Sequence, residues 1–139
     1  MTTAPGPRVA VYALTGRDDE YYLTLPAPHG YTFPGGPVGS GEPVEDALRR
    51  LLHDQLGLGV RQADFCGVLE HRVGAGVGVV FVFDVTLTDI DALPVHVARV
   101  ARWVDGYSLH RVEVHPFCLR EAIVEGIFAD RTWVPAPPQ

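Results

Sequence analysis

A chain of 139 residues of which 47% are apolar can bury one continuous core and fits a single domain over 1–139. A formal charge of −6 and a pI near 5.4 exclude a general binder of the nucleic-acid backbone, which needs a basic face. They leave room for a small phosphorylated ligand held by amides, one arginine and a cation.

Cys66 and Cys118 are the only cysteines, far too few for a disulfide-stapled secreted fold, and they read as buried reduced thiols. Residues 1–7 carry neither a basic leader nor an apolar stretch and read as no signal peptide. The longest apolar run, Val77 to Phe83, is far shorter than the about 20 residues of a membrane helix. A cytoplasmic protein without membrane contact is expected.

In chain order, residues 1–7 are proline-rich and read as a loose terminus, as do residues 134–139. Arg8 to Leu14 reads as a strand, turned at Gly16 to Asp19 into a second, Tyr21 to Leu25. Pro26 to Gly30 breaks the chain before a short extended piece, Tyr31 to Phe33. Pro43 to Leu56 is helical: Val44, Ala47, Leu48, Leu51, Leu52 and Leu56 recur at three- and four-residue spacing. Glu42 or Gly41 suits its cap, Pro43 its first turn and Gly57 its end.

Arg61 to Val73 and Val77 to Leu87 read as a hairpin about Gly74-Ala75-Gly76. Thr88 to Pro94 reads as a loop, Val95 to Val104 as a strand, and Pro116 to Phe128 as a second helix. Strands with one helix early and one late predict an α/β fold, a mixed sheet packed between helices.

The segment from Phe33 to Glu42 carries the chemistry. Gly35, Gly36, Gly39 and Gly41 let backbone approach phosphate oxygens closely, and the following helix aims its free amides at the same loop. Carboxylates one turn apart on such a helix can share a divalent cation, which polarises a phosphoryl oxygen and activates water.

The spacing resembles the Nudix hydrolase family. Gly36, Glu42, Arg50, Leu52, Gly57 and Leu58 fall in register with that family's motif, and Tyr31-Thr32-Phe33-Pro34-Gly35-Gly36 resembles its lead-in. The resemblance implies a Nudix-type α/β/α sandwich and hydrolysis of a nucleoside diphosphate linked to another group, with Mg2+ or Mn2+ as cofactor. It implies Arg50 and Asp54 as catalytic residues and Gly36, Glu42 and Asp54 around the metal. Gly35, Gly36, Leu51, Gln55 and Glu70 are the residues expected against a nucleotide-like ligand, and a homodimer is the common family arrangement.

Two glutamates of the motif are replaced, by Leu51 and Gln55, and a third is shortened to Asp54. At about 4 Å and an effective dielectric near 20, one charge beside a divalent ion contributes several kcal/mol before desolvation, so losing two weakens metal binding by orders of magnitude. Three functions stay open: a weak or inactive metal-dependent hydrolase, a metal-independent ligand binder reusing the cleft, and a dimerising interaction module. Asp54 serves as a ligand or as the helix partner of Arg50, which is expected to hold Asp46 and Asp54. His53 is expected to face solvent. His29, His71 and Glu70 are candidates to line the cavity, Asp89 and Asp91 read as turn formers or late-acting acids, and Trp103 and the tyrosines are candidates to stack on a planar ligand, with Trp103 otherwise reading as core.

Overall fold

Strand β1, Arg8–Leu14, shows why the sheet is covered on both sides: Val11 and Ala13 enter one buried cluster while Tyr12 and Leu14 enter another. The computed structural model of the chain describes residues 8–17 and 21–137. The loose terminus expected over residues 1–7 lies outside these, as do Asp18 and Asp19 of the first turn.

Strands β2 (Gly16–Arg17), β3 (Tyr21–Pro26), β4 (Tyr31–Thr32) and β5 (Gly35–Pro37) precede helix α1, Val44–Leu56. Strands β6 (Val60–Val73) and β7 (Gly76–Leu87) follow as the expected hairpin, with Val73 opposite Gly76. Then come a short helix α2 (Val95–Ala98), strands β8 (Arg102–Asp105) and β9 (Val114–His115), helix α3 (Phe117–Val124) and strand β10 (Trp133–Val134).

The larger sheet is mixed, in the order β10-β6-β7-β1-β5; β1 runs parallel to β7 and antiparallel to β5. A smaller one, β2-β3-β4-β9 with β8 on β3, stands beside it. Helix α1 lays Ala47, Leu48, Leu51, Leu52 and Leu56 on one face of the large sheet, against Val11, Ala13, Phe83 and Val85. Leu119 and Ala122 of α3 cover the opposite face, with Leu69, Val80 and Val82. The α/β/α arrangement is as expected, with two sheets rather than one.

Four expectations change, the first being the second helix, which stops at Val124 rather than Phe128, before a left-handed Gly126. Helix α1 begins at Val44 with Pro43 in the cap position, and no side chain caps it, because Glu42 is bonded elsewhere. Val95 to Val104 is not one strand: after Pro94 the amides of Val97 and Ala98 both donate to the Pro94 carbonyl at 2.9 Å, starting α2. The segment read as loose from Val134 opens inside β10, which pairs parallel with β6 at Val68 and Leu69; Arg72 Nε then donates to the Pro137 carbonyl at 3.0 Å. No described helix is long and apolar enough to cross a membrane.

Candidate functional site

The glycine-rich loop joins β5 to α1, and its geometry starts at Gly35. Its φ is 144°, and a Cβ there would run into the Val11 carbonyl and stand 2.7 Å from Tyr12 Cα, so only glycine lets β5 lie this close to β1. From the last turn of α1, Gln55 reaches back to the same residue. Its Oε1 accepts the Gly35 N–H at 3.0 Å, and its Nε2 donates to the Gly35 carbonyl at 2.7 Å. One turn earlier Leu51 is buried, with a methyl 3.3 Å from where a Gly36 Cβ would stand.

Arg50 is not held by Asp46 and Asp54 as expected. Its Nε and Nη2 donate to Glu42 Oε2 and Oε1 at 2.9 and 3.0 Å, a two-point fork, and Glu42 Oε1 also accepts the Gly39 N–H at 3.0 Å. The Arg50 hydrogen bonds, seconded by the Gly39 amide, hold the Glu42 carboxyl at a pKa of about 2. The pair ties the loop to the middle of α1 across its exposed side.

The other candidates scatter. Asp54 is exposed, 3.8 Å from His53 and close enough to Arg50 to act on its charge, and His53 faces solvent as expected. Glu70 is turned to the C-terminal segment, where Oε1 accepts the Ala136 N–H at 3.4 Å. His29, Asp89 and Asp91 are exposed, and Trp103 packs against the α1-side core. Cys66 and Cys118 are free thiols, half-buried rather than buried, and burial raises the pKa of both.

A cleft of about 840 Å³ opens beside the loop. Pro37 to Glu42 form one wall, Val9, Ala10, Val79 and Val80 an apolar floor, and Arg8, Tyr12, His71 and Pro116 the remaining sides. Val44, the first residue of α1, also reaches it. Of the residues assigned to ligand or metal, Glu42 lines this cleft; Leu51, Gln55, Asp54 and Glu70 do not. Each of the four is turned elsewhere: Leu51 into the core, Gln55 onto Gly35, Asp54 to solvent and Glu70 to Ala136. Burial raises the pKa of the Tyr12 phenol, with a smaller contribution from Cys118. A smaller hollow of about 320 Å³ lies at the other end of the sheet, between Tyr21, Tyr22, Asp64 and Asp84.

Sequence reasoning named His71 for the cavity and the tyrosines only collectively, as rings to stack on a planar ligand, and it missed Arg8 and Pro116. Tyr12 carries the one signal that was present, a polar-tipped aromatic within an otherwise apolar strand. Arg8 and Pro116 carry none, because only folding brings the first residue of β1 and the residue before α3 to the loop.

No family model matches the sequence, and no curated protein matches it. Solved structures do. The MutT protein of Methanosarcina mazei Go1 superposes with a TM-score of 0.71 at 18% identity, over 93% of this chain and 99% of that one. A Nudix hydrolase of Nitrosomonas europaea gives 0.70 at 19% identity, over 93% of each chain. A UDP-X diphosphatase gives 0.69 at 13% identity, over 96% of this chain and 69% of that one. The chain has the Nudix fold.

In a Nudix fold the loop and α1 are where the resemblance implies a divalent cation. Magnesium takes carboxylates and waters in near-octahedral geometry. Here Leu51 offers no donor atom, the Glu42 carboxylate is forked onto Arg50 and further bonded to the Gly39 amide, and both polar atoms of Gln55 are bonded to Gly35. The Gly36 backbone is paired with β1 opposite Val11, and Asp54 stands apart at the surface. Among the described residues no group of three His, Cys, Asp or Glu could hold an ion. The donor set does not fit the cation.

Proposed function

We propose that this Nudix-fold chain is a cytoplasmic binder of a small nucleotide-like ligand, taken up without a metal ion, with pyrophosphate hydrolysis weak or absent. The observation that carries this reading is the cleft itself. Its apolar floor suits a planar group, the Tyr12 hydroxyl can donate to it, and Arg8 and His71 line the same cleft and can meet an anionic group there. The first amides of α1 have no side-chain cap, so the positive end of a 13-residue helix faces the same opening through Val44. Arg50 neutralises the one carboxylate on that wall, Glu42, which removes a repulsion that a phosphate would otherwise meet.

A nucleoside diphosphate linked to a second group is the first probe, since a neighbour in fold is a UDP-X diphosphatase. The test is a thermal-shift panel of nucleotides and nucleoside diphosphate sugars, each with manganese or with chelator. The expected result is a stabilisation that chelator leaves unchanged and that Tyr12→Ala and His71→Ala weaken. A shift that requires manganese, or manganese-dependent release of phosphorylated product abolished by Asp54→Ala, would refute the metal-free reading.

A further inference from the structure

Gln55 and Gly35 are matched atom for atom. In extended backbone the N–H and C=O of one residue point to the same side, and one carboxamide can close both. Gln55 does so at 3.0 and 2.7 Å. A carboxylate in its place could still accept the Gly35 N–H. Its second oxygen, however, would be set against the Gly35 carbonyl oxygen, and two acceptors at that spacing need a positive bridge, either a proton or a cation.

We infer that Gln55 is a built-in substitute for that cation: its Nε2–H fills the seat between the head of residue 55 and the Gly35 carbonyl and makes the α1–β5 joint independent of metal. Gln55 is thus a positioning residue. It holds Gly35, and through Gly35 the start of the glycine loop, at a fixed distance from the helix. Leu51, packed over Gly36 one turn away, supplies an apolar neighbour where a charged one would have needed the same cation. The inference concerns the ligand-free protein, so it stands or falls separately from what the cleft binds.

The test compares the melting temperature of wild type, Gln55→Glu and Gln55→Met between about pH 4 and pH 8, with manganese or with chelator. Strand β5 carries no ionisable side chain. Arg8 and Tyr12 lie on β1 behind it, and His53, Asp54 and the Glu42–Arg50 pair lie on or beside α1. All three proteins share these groups, so differences from wild type report residue 55.

In Gln55→Glu the protonated carboxyl mimics the amide, so its folded pKa is raised above the ordinary glutamate value of about 4.3. The stability this provides is present below that value and is lost as pH rises through the folded pKa. Near pH 4 the variant should melt close to wild type; by pH 8 with chelator it should melt lower by roughly 4 °C, and manganese should recover most of the loss. Gln55→Met should melt lower at every pH with no response to manganese, and wild type should ignore both pH-linked protonation at this position and manganese.

Wild-type stabilisation by manganese equal to that of Gln55→Glu would overturn the inference. So would a Gln55→Glu variant that matches wild type at pH 8 in chelator. If Gln55→Glu does not fold, Gln55→Met decides: an unchanged melting temperature refutes the inference, and a lowered one supports it.

Discussion

Both oxygens of Glu42 are committed, to Arg50 and to the Gly39 amide, and that commitment fixes the direction of a pH effect. The folded pKa, about 2, lies below the ordinary 4.5. The pair's contribution is therefore present above about pH 4.5 and is lost as pH falls towards 2. Glu42→Gln should lower the melting temperature at neutral pH by a small amount, since the group is exposed and salt screens it. The gap to wild type should close between pH 4.5 and 2. A gap that persists at pH 2 would show that the carboxylate charge is not what the loop uses.

Leu51 occupies a position where the family pattern has an acid, yet it is a core residue. Leu51→Ala should cost about 2–4 kcal/mol in urea unfolding. Leu51→Glu should cost at least as much at neutral pH, because an unpaired charge would have to enter the α1-side core.

Helix α1 was legible because its apolar residues follow one period over three turns and Gly57 ends it. Gly57 takes a left-handed conformation (φ 71°) and donates to the His53 carbonyl at 2.9 Å, and a Cβ there would stand 3.0 Å from Pro94 Cγ. Gly57→Ala should therefore destabilise by about 1–2 kcal/mol, measured by chemical denaturation, with little loss of helicity.

The hairpin of β6 and β7 was legible for a similar local reason, two long apolar runs around a glycine turn. Strand β10 was not. Trp133 and Val134 follow no pattern of their own, and they are a strand because β6 offers an unpaired edge at Val68 and Leu69. Likewise α2 has β-branched sequence, and it is the carbonyl of Pro94 and the burial of Val97 that select the helical turn.

Across the whole molecule the large sheet separates two cores, one roofed by α1 and the other by α3. Leu52 belongs to the first cluster and Leu119 to the second, each fully buried. Leu52→Ala and Leu119→Ala should each cost about 2–5 kcal/mol and should add in the double variant to within roughly 0.5 kcal/mol. A larger coupling, read from a double-mutant cycle of urea unfolding, would mean that the sheet transmits repacking from one face to the other.

By itself the sequence determined the fold class, the loop-and-helix frame and the apolar and amide side chains at positions 51 and 55, because periodicity, glycine spacing and residue chemistry are properties of neighbours along the chain. It could not decide what the replacing residues do. Gln55 meets Gly35 across 20 positions, Arg50 chooses Glu42 over the acids of its own helix, and Arg8 and Tyr12 of β1 meet His71 of β6 at one cleft. Those pairings depend on which strands lie side by side and on how far α1 is turned upon the sheet, and packing of the whole core sets both.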